Sequence, residues 1–151
     1  MEMIAGARDK TMGLGQAVGS LAKQHVVIAL VGDLGCGKTV FVQGLARGLG
    51  IPPDEYITSP TFTLINCYPG RRSLYHVDLY RLGGIEDTED IGLEELLEGD
   101  GVVAIEWGER LKGHLPGQRL EIQIIISGSG SRIFRFKPYG RATANLVREI
   151  K

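Results

Sequence analysis

An α/β sandwich is the fold this sequence predicts, with central parallel strands and an antiparallel C-terminal hairpin at the edge. Three observations predict it. Val26-Val27-Ile28-Ala29-Leu30-Val31 is an unbroken aliphatic run, apolar on both faces as a buried parallel strand must be. A glycine-rich turn, Gly32 to Gly37, follows and opens into a helical apolar period. Far downstream, Leu120, Ile122, Ile124 and Ile126 alternate with Glu121, Gln123 and Ile125, as a half-buried strand should. The Gly/Ser turn from Ser127 to Ser131 then lets Ile133 to Lys137 pair back. Strand–helix alternation first and a hairpin last is the order of a parallel sheet finished by an antiparallel edge.

The remaining elements follow in order. Thr11 reads as the N-cap of a helix running to about Lys23, with Leu14, Ala17, Val18 and Leu21 on one face. After the glycine turn, Val42, Leu45, Ala46 and Leu49 define a second helix, ended by Gly50 and Pro52-Pro53. Gly44 and Gly48, four apart on it, present a smooth stripe for close packing against the sheet. Residues 51–72 read as a loop with an extended piece around Phe62 to Tyr68. Ser73 to Leu79 is a strand with Leu74, His76 and Asp78 on one face. Between Gly83 and Gly99 lie short acidic helical pieces, and Val102 to Ile105 is a third buried strand ending at Glu106-Trp107. A short terminal helix is expected after Arg141. One domain spanning 1–151 accommodates all of this.

Composition narrows the class. Of 151 residues 22 are glycine, about double the usual share of roughly 7%, yet no G-X-Y period accompanies them and prolines number only 6. Two cysteines, Cys36 and Cys67, make no disulfide framework. No apolar run approaches the ~18 residues of a membrane span, and Glu2, Arg8 and Lys10 lead into no signal-peptide core. A cytoplasmic location is the expectation. Net charge is −1, which lacks the basic footprint of an independent nucleic-acid binder. The charge is nonetheless segregated. Asp78 to Glu109 carries eleven acidic residues and only Arg81 as a base, whereas Arg110 to Lys151 carries nine basic and two acidic ones. A solvated acidic helical region followed by a basic sheet edge explains this more simply than two docking faces.

The chemistry concentrates in Gly32-Asp33-Leu34-Gly35-Cys36-Gly37-Lys38-Thr39, a full G-x-x-x-x-G-K-[ST] match between a strand and a helix. Glycines there allow the backbone N–H groups of Asp33, Leu34, Gly35, Cys36, Gly37, Lys38, Thr39 and Val40 to converge on phosphate oxygens at a helix N-terminus. Lys38 would reach the β- and γ-phosphates, and the Thr39 hydroxyl would ligate Mg²⁺. The fold is therefore a P-loop NTPase-like sandwich, with ATP and Mg²⁺ as expected cofactors. Such sites also need carboxylates at the C-terminal ends of neighbouring strands. Asp78 and Glu106 occupy two such ends; one would ligate metal and the other orient the attacking water, in an order that spacing leaves open.

No N-K-x-D occurs, so guanine selectivity of the Ras type has no source. A kinase lid inserted between Asp78 and Glu109 would have only Arg81 to offer the phosphates. A slow ATPase or ATP-driven switch fits better than a small-molecule kinase; a non-catalytic nucleotide-gated module is the third reading.

Four blocks carry a resemblance over nearly the whole chain: Gly32–Thr39 with Phe41 following, Ser59-Pro60-Thr61-Phe62-Thr63, Tyr75-His76-Val77-Asp78-Leu79-Tyr80-Arg81-Leu82, and Ile105-Glu106-Trp107-Gly108-Glu109-Arg110. In order and spacing they resemble the TsaE (YjeE) family, bacterial ATPases of tRNA threonylcarbamoyladenosine synthesis. The resemblance implies ATP hydrolysis in support of a TsaD–TsaB heterodimer, with tRNA reached indirectly through that complex. It puts magnesium and catalysis on Thr39, Asp78 and Glu106, and it makes Ser59–Thr63 a switch in which Thr61 senses the γ-phosphate. It places Trp107 beside the metal carboxylate, where residue chemistry alone would read core packing. Thr11 and Arg132 are implied as further nucleotide contacts. His76 reads as a packed strand residue that shares a face with Asp78. Cys36 stands where the family usually has alanine, and its small side chain reads first as simply tolerated there. Next to Lys38 and a helix N-terminus its thiol is nevertheless expected to have a lowered pKa, with shielding from alkylation by ATP as the hypothesis that follows.

Overall fold

The computed structural model describes residues 1–60, 64–82, 86–111 and 113–151, with only the backbone described at Glu86 and Asp90. Its elements run β1 (Glu2–Ala5), α1 (Arg8–Leu21), β2 (Val26–Val31), α2 (Lys38–Gly48), β3 (Ile65–Tyr68), β4 (Leu74–Asp78), α3 (Glu86–Asp90), α4 (Leu93–Leu97) and β5 (Val102–Glu106). A 3₁₀ turn over Gly108–Leu111 follows, then β6 (Arg119–Ile126), β7 (Arg132–Tyr139) and α5 (Arg141–Glu149). The described strands form one sheet in the order β1-β7-β6-β2-β5-β4-β3. β2 runs parallel to both β5 and β6, and β5 parallel to β4. The pairs β6–β7, β7–β1 and β3–β4 are antiparallel.

The α/β class with a parallel centre is thus the one the sequence predicts, and the C-terminal hairpin lies where expected beside the parallel strands. It is not the last strand pair, however. β1 caps it, with Met3 opposite Phe134 and Ile4 opposite Ile133. Four residues are too few to display a period of two, so nothing local distinguishes β1 from a loop.

The central strands are apolar on both faces because both faces are covered. On one side Ile28, Leu30, Leu74, Ala104, Ile122 and Phe134 pack with α1 and α2, where Val18, Phe41, Val42 and Leu45 are fully buried. On the other side Val27, Val77, Val103 and Ile105 pack with Leu93 of α4 and Leu111. The acidic pieces are real helices, and α4 lies over the second face through Leu93, Leu96 and Leu97 with Glu94 and Glu95 exposed.

Thr11 is not an N-cap. Helix α1 begins at Arg8 behind an extended Ala7, and Thr11 lies in its first turn, buried. The stabilising local feature at that end is Asp9, an acid in the first turn.

The glycine stripe also faces elsewhere than expected. A Cβ on Gly44 would sit 2.0 Å from the Met12 carbonyl oxygen, and one on Gly48 would sit 2.2 Å from that of Gln16. Gly15 and Gly19 of α1 answer with equivalent approaches of 2.1 Å to Phe41 O and 2.3 Å to Leu45 O. The stripe brings α2 against α1, not against the sheet. Gly44→Ala gains about 1 kcal/mol of helix propensity but forces two backbones apart. A net loss of about 2 kcal/mol, or roughly 4–8 °C in Tm, is expected by thermal circular dichroism; an unchanged Tm would contradict the close approach.

Candidate nucleotide site

The turn from β2 into α2 has the conformation its glycines permit. Gly35 has φ of 79° and Gly37 of 113°, left-handed values that a side chain would strain. Gly37 sits immediately before α2, so the first N–H groups of the helix face the turn. A Cβ at Gly32 would lie 2.6 Å from the Ile124 carbonyl and 2.7 Å from the Cys36 sulfur, which fixes that position as glycine by space.

Lys38 opens α2 and is 5% exposed. Its Nζ donates to the loop's own carbonyls, Gly32 O at 2.6 Å and Asp33 O at 3.0 Å, and lies 4.1 Å from the centroid of the Trp107 ring. The ammonium is thereby held inside the loop by two carbonyl dipoles and an aromatic face. A phosphate entering the turn would meet a cation already in place.

Behind Lys38, the Thr39 hydroxyl donates to Glu106, 3.0 Å from Oε1 and 3.2 Å from Oε2. Glu106 ends β5 beside β2, and Asp78 ends β4 directly opposite Glu106 in the parallel ladder. Both carboxylates are buried. Asp78 accepts from the Ser59 hydroxyl at Oδ2 and from the Tyr80 backbone N–H at Oδ1, the latter at 2.9 Å. His76, completely buried, meets Glu106 Oε2 through Nε2. Thr39, Asp78 and Glu106 thus come together at one end of three adjacent elements.

Among the described residues two non-glycine positions have left-handed backbones, Leu64 at φ of 66° and Trp107 at 62°. Each adjoins a carboxylate: Leu64 O accepts the Asp78 N–H at 3.0 Å, and Trp107 directly follows Glu106. Such conformations cost of order 1–3 kcal/mol and cluster at functional sites.

The family model for the threonylcarbamoyl adenosine biosynthesis protein TsaE matches residues 6–134. The chain belongs to the TsaE family. It is 46% identical over 132 residues to the tRNA threonylcarbamoyladenosine biosynthesis protein TsaE of Treponema pallidum, covering 87% of this chain and 96% of that one. Against the Bacillus subtilis protein of the same name, identity is 38% over 143 residues, covering 94% of this chain and 88% of that one. A crystal structure of Bacillus subtilis YdiB superimposes with a TM-score of 0.86 at 33% identity, covering 99% of this chain and 93% of the other.

This TsaE-family chain gathers the more scattered residues named from sequence as well. Thr11, Gly35, Gly37, Val40 and Arg132 line a single cleft of about 240 Å³, together with Ala7 and Arg8, on the solvent side of the turn. Arg132 belongs to β7, far away in sequence, yet its Nε donates to Cys36 O at 3.3 Å. Asp33, Leu34 and Gly35 form the exposed tip of the turn. Trp107 is half-buried; it packs on the second core while covering Lys38, and its ring lies 5.0 Å from that of Tyr80. The two readings of Trp107 therefore describe different edges of one side chain. Thr61 lies outside the described residues. Ser59, from the same block, reaches Asp78.

Cys36 corrects the sequence expectation. The side chain is buried against Gly32, and that burial pushes its thiol above the ordinary value, although Lys38 pulls the other way. Desolvation of a thiolate outweighs a cation that is already engaged with carbonyls. Iodoacetamide is accordingly expected to modify exposed Cys67 and spare Cys36, with or without Mg-ATP. Intact-mass analysis followed by peptide mapping reads this directly, and native labelling of Cys36 would contradict it.

Sequence reasoning missed three contacts: His76 on Glu106, Ser59 on Asp78 and the Tyr80 N–H on Asp78. The alternation of Leu74, His76 and Asp78 along one face was the available signal for the first. Ser59 lies nineteen positions from its partner and gave no periodic sign.

Proposed function

We propose that this chain, as one domain, binds Mg-ATP and hydrolyses it slowly in the cytoplasm. We propose further that its cycle supports a TsaD–TsaB heterodimer forming threonylcarbamoyladenosine in tRNAs that read codons beginning with A. One observation carries the reading: at the head of α2 Lys38 is held inside the turn by the Gly32 and Asp33 carbonyls, while the next residue, Thr39, donates to Glu106, with Asp78 alongside in the ladder.

The donors suit magnesium. Thr39 Oγ1 and the Asp78 and Glu106 carboxylates are hard oxygens. Among the described residues no group of three or more His, Cys, Asp or Glu could hold a metal without help. That composition agrees with an ion held by one or two carboxylates and the phosphates themselves. When bound, magnesium would neutralise charge developing on the β- and γ-oxygens. Thr39 can offer a lone pair to the cation while its O–H still donates to Glu106. Lys38 exchanges carbonyl partners for phosphate oxygens, and the turn's N–H groups cradle the rest. The second carboxylate orients water, and Trp107 with Tyr80 covers the Lys38 side against solvent.

Phosphate release measured for the chain alone and with purified TsaD–TsaB tests the proposal. Stimulation by the heterodimer is the expected result. Transfer of labelled phosphate to a metabolite would favour a small-molecule kinase, and tight ATP binding with no turnover in either sample would favour a nucleotide-gated module.

A further inference from the structure

His76 is completely buried on β4, between Ala104 opposite it on β5 and Asn66 opposite it on β3. Packing alone would be served better by an aliphatic side chain. The imidazole instead has its Nε2 on Glu106 Oε2, while its Nδ1 is buried and has no partner among the described residues. An orphaned polar atom costs about 1–3 kcal/mol, so the ring is held in place by what Nε2 does.

Glu106 needs such a partner. The last torsion of a glutamate is broad and roughly two-fold, so one donor does not define the plane of its carboxylate. Lys38 donates to Gly32 O, Asp33 O and the Cys36 sulfur, and not to Glu106. Among the described residues the side-chain partners of Glu106 are Thr39, which spans both oxygens, and His76, which meets only Oε2. Two donors from opposite sides, one on α2 and one on β4, hold the carboxylate plane; either one alone would let it turn.

We infer that His76 is a positioning residue for Glu106, its Nε2–H clamping Oε2 so that Oε1 stays on Thr39 and faces the phosphate site. This rests on the proposed role of Glu106 in ATP turnover. The phosphate loop itself does not touch His76, so the clamp affects turnover and leaves nucleotide affinity alone.

The test has two arms. In the first, histidines of the full chain are labelled with ¹⁵N and assigned through His76→Gln. The expected result is an exchange-protected proton on Nε2 of His76 whose resonance moves in Glu106→Gln. A proton on Nδ1, or a signal indifferent to Glu106→Gln, overturns the inference without any reference to hydrolysis. In the second arm, ATP turnover and nucleotide affinity are compared in three folded variants. Glutamine places an amide N–H where Nε2 stands and is expected to keep at least about a third of kcat. Asparagine reaches only the Nδ1 position, and leucine has no donor; both are expected to lose roughly tenfold to a hundredfold in kcat. ATP dissociation constants should stay within about threefold throughout, since the P-loop contacts are intact. Full activity in His76→Leu, or equal activity in the glutamine and asparagine variants, overturns the clamp. If the unsubstituted chain releases no phosphate even with TsaD–TsaB, the proposed function falls, and the first arm still decides whether His76 holds Glu106.

Discussion

Lys38→Ala is expected to weaken Mg-ATP binding by roughly a hundredfold or more while leaving the fold intact. The Nζ already occupies the interior of the turn at 2.6 and 3.0 Å from two carbonyl oxygens, so nucleotide binding need not move it far. Hydrogen bonds between a charged donor and a charged acceptor are worth about 1.5–3 kcal/mol each, and two of them to phosphate account for that loss. Removal also strips Trp107 of the cation beneath its ring, a contact worth about 1–2 kcal/mol where solvent is excluded. The Gly32 and Asp33 carbonyls lose a donor in the same step but can recover one from water at the exposed tip. Stability should therefore change far less than affinity. Isothermal titration with Mg-ATP and a thermal melt separate the two quantities. Affinity within threefold of the unsubstituted chain would remove the P-loop from the binding site.

Glu106→Gln is expected to have the opposite profile: nucleotide affinity kept within a few-fold, and turnover lowered by about a hundredfold to ten-thousandfold. Glu106 accepts from Thr39 and His76, so its loss of charge leaves the Lys38 and backbone N–H groups of the turn in place and touches affinity only through the metal. Turnover does depend on that charge. A carboxylate at this point either ligates the metal or takes up the proton of water, and an amide does neither well. Glu106→Ala should show the same kinetic loss with an added stability cost of about 1–3 kcal/mol, because truncation leaves the buried His76 without its partner while half-buried Thr39 can turn to water. Comparing the two variants therefore separates chemistry from packing. Phosphate release under saturating Mg-ATP is the measurement, and normal turnover in Glu106→Gln would remove this carboxylate from the reaction.

Where the structure departs from what the residues foretell, the causes are specific. The Cys36 expectation weighed the Lys38 charge and the helix end but had no measure of burial, and burial is the larger influence. Thr11 has the right chemistry for a cap, yet β1 pairs with β7 up to Ala5 and the chain turns into α1 at Arg8. Gly44 and Gly48 announced a close approach without saying to what. His76 was legible as a residue on the site's face and no further, since Glu106 lies thirty positions away on another strand.

What the sequence determined by itself is local: the double-faced β2, the glycine turn, the lysine and threonine that start α2, and carboxylates at strand ends. Each of these depends on neighbours within a few positions, where backbone conformation and spacing already constrain the chemistry. The tertiary structure alone decided that β1 covers the hairpin, that α1 and α2 meet glycine to glycine, and that Arg132 closes the cleft. It alone decided that Thr39 and His76 grip the same carboxylate. Those outcomes depend on which distant segments share a surface, and burial and hydrogen-bond partners exist only once that surface is formed.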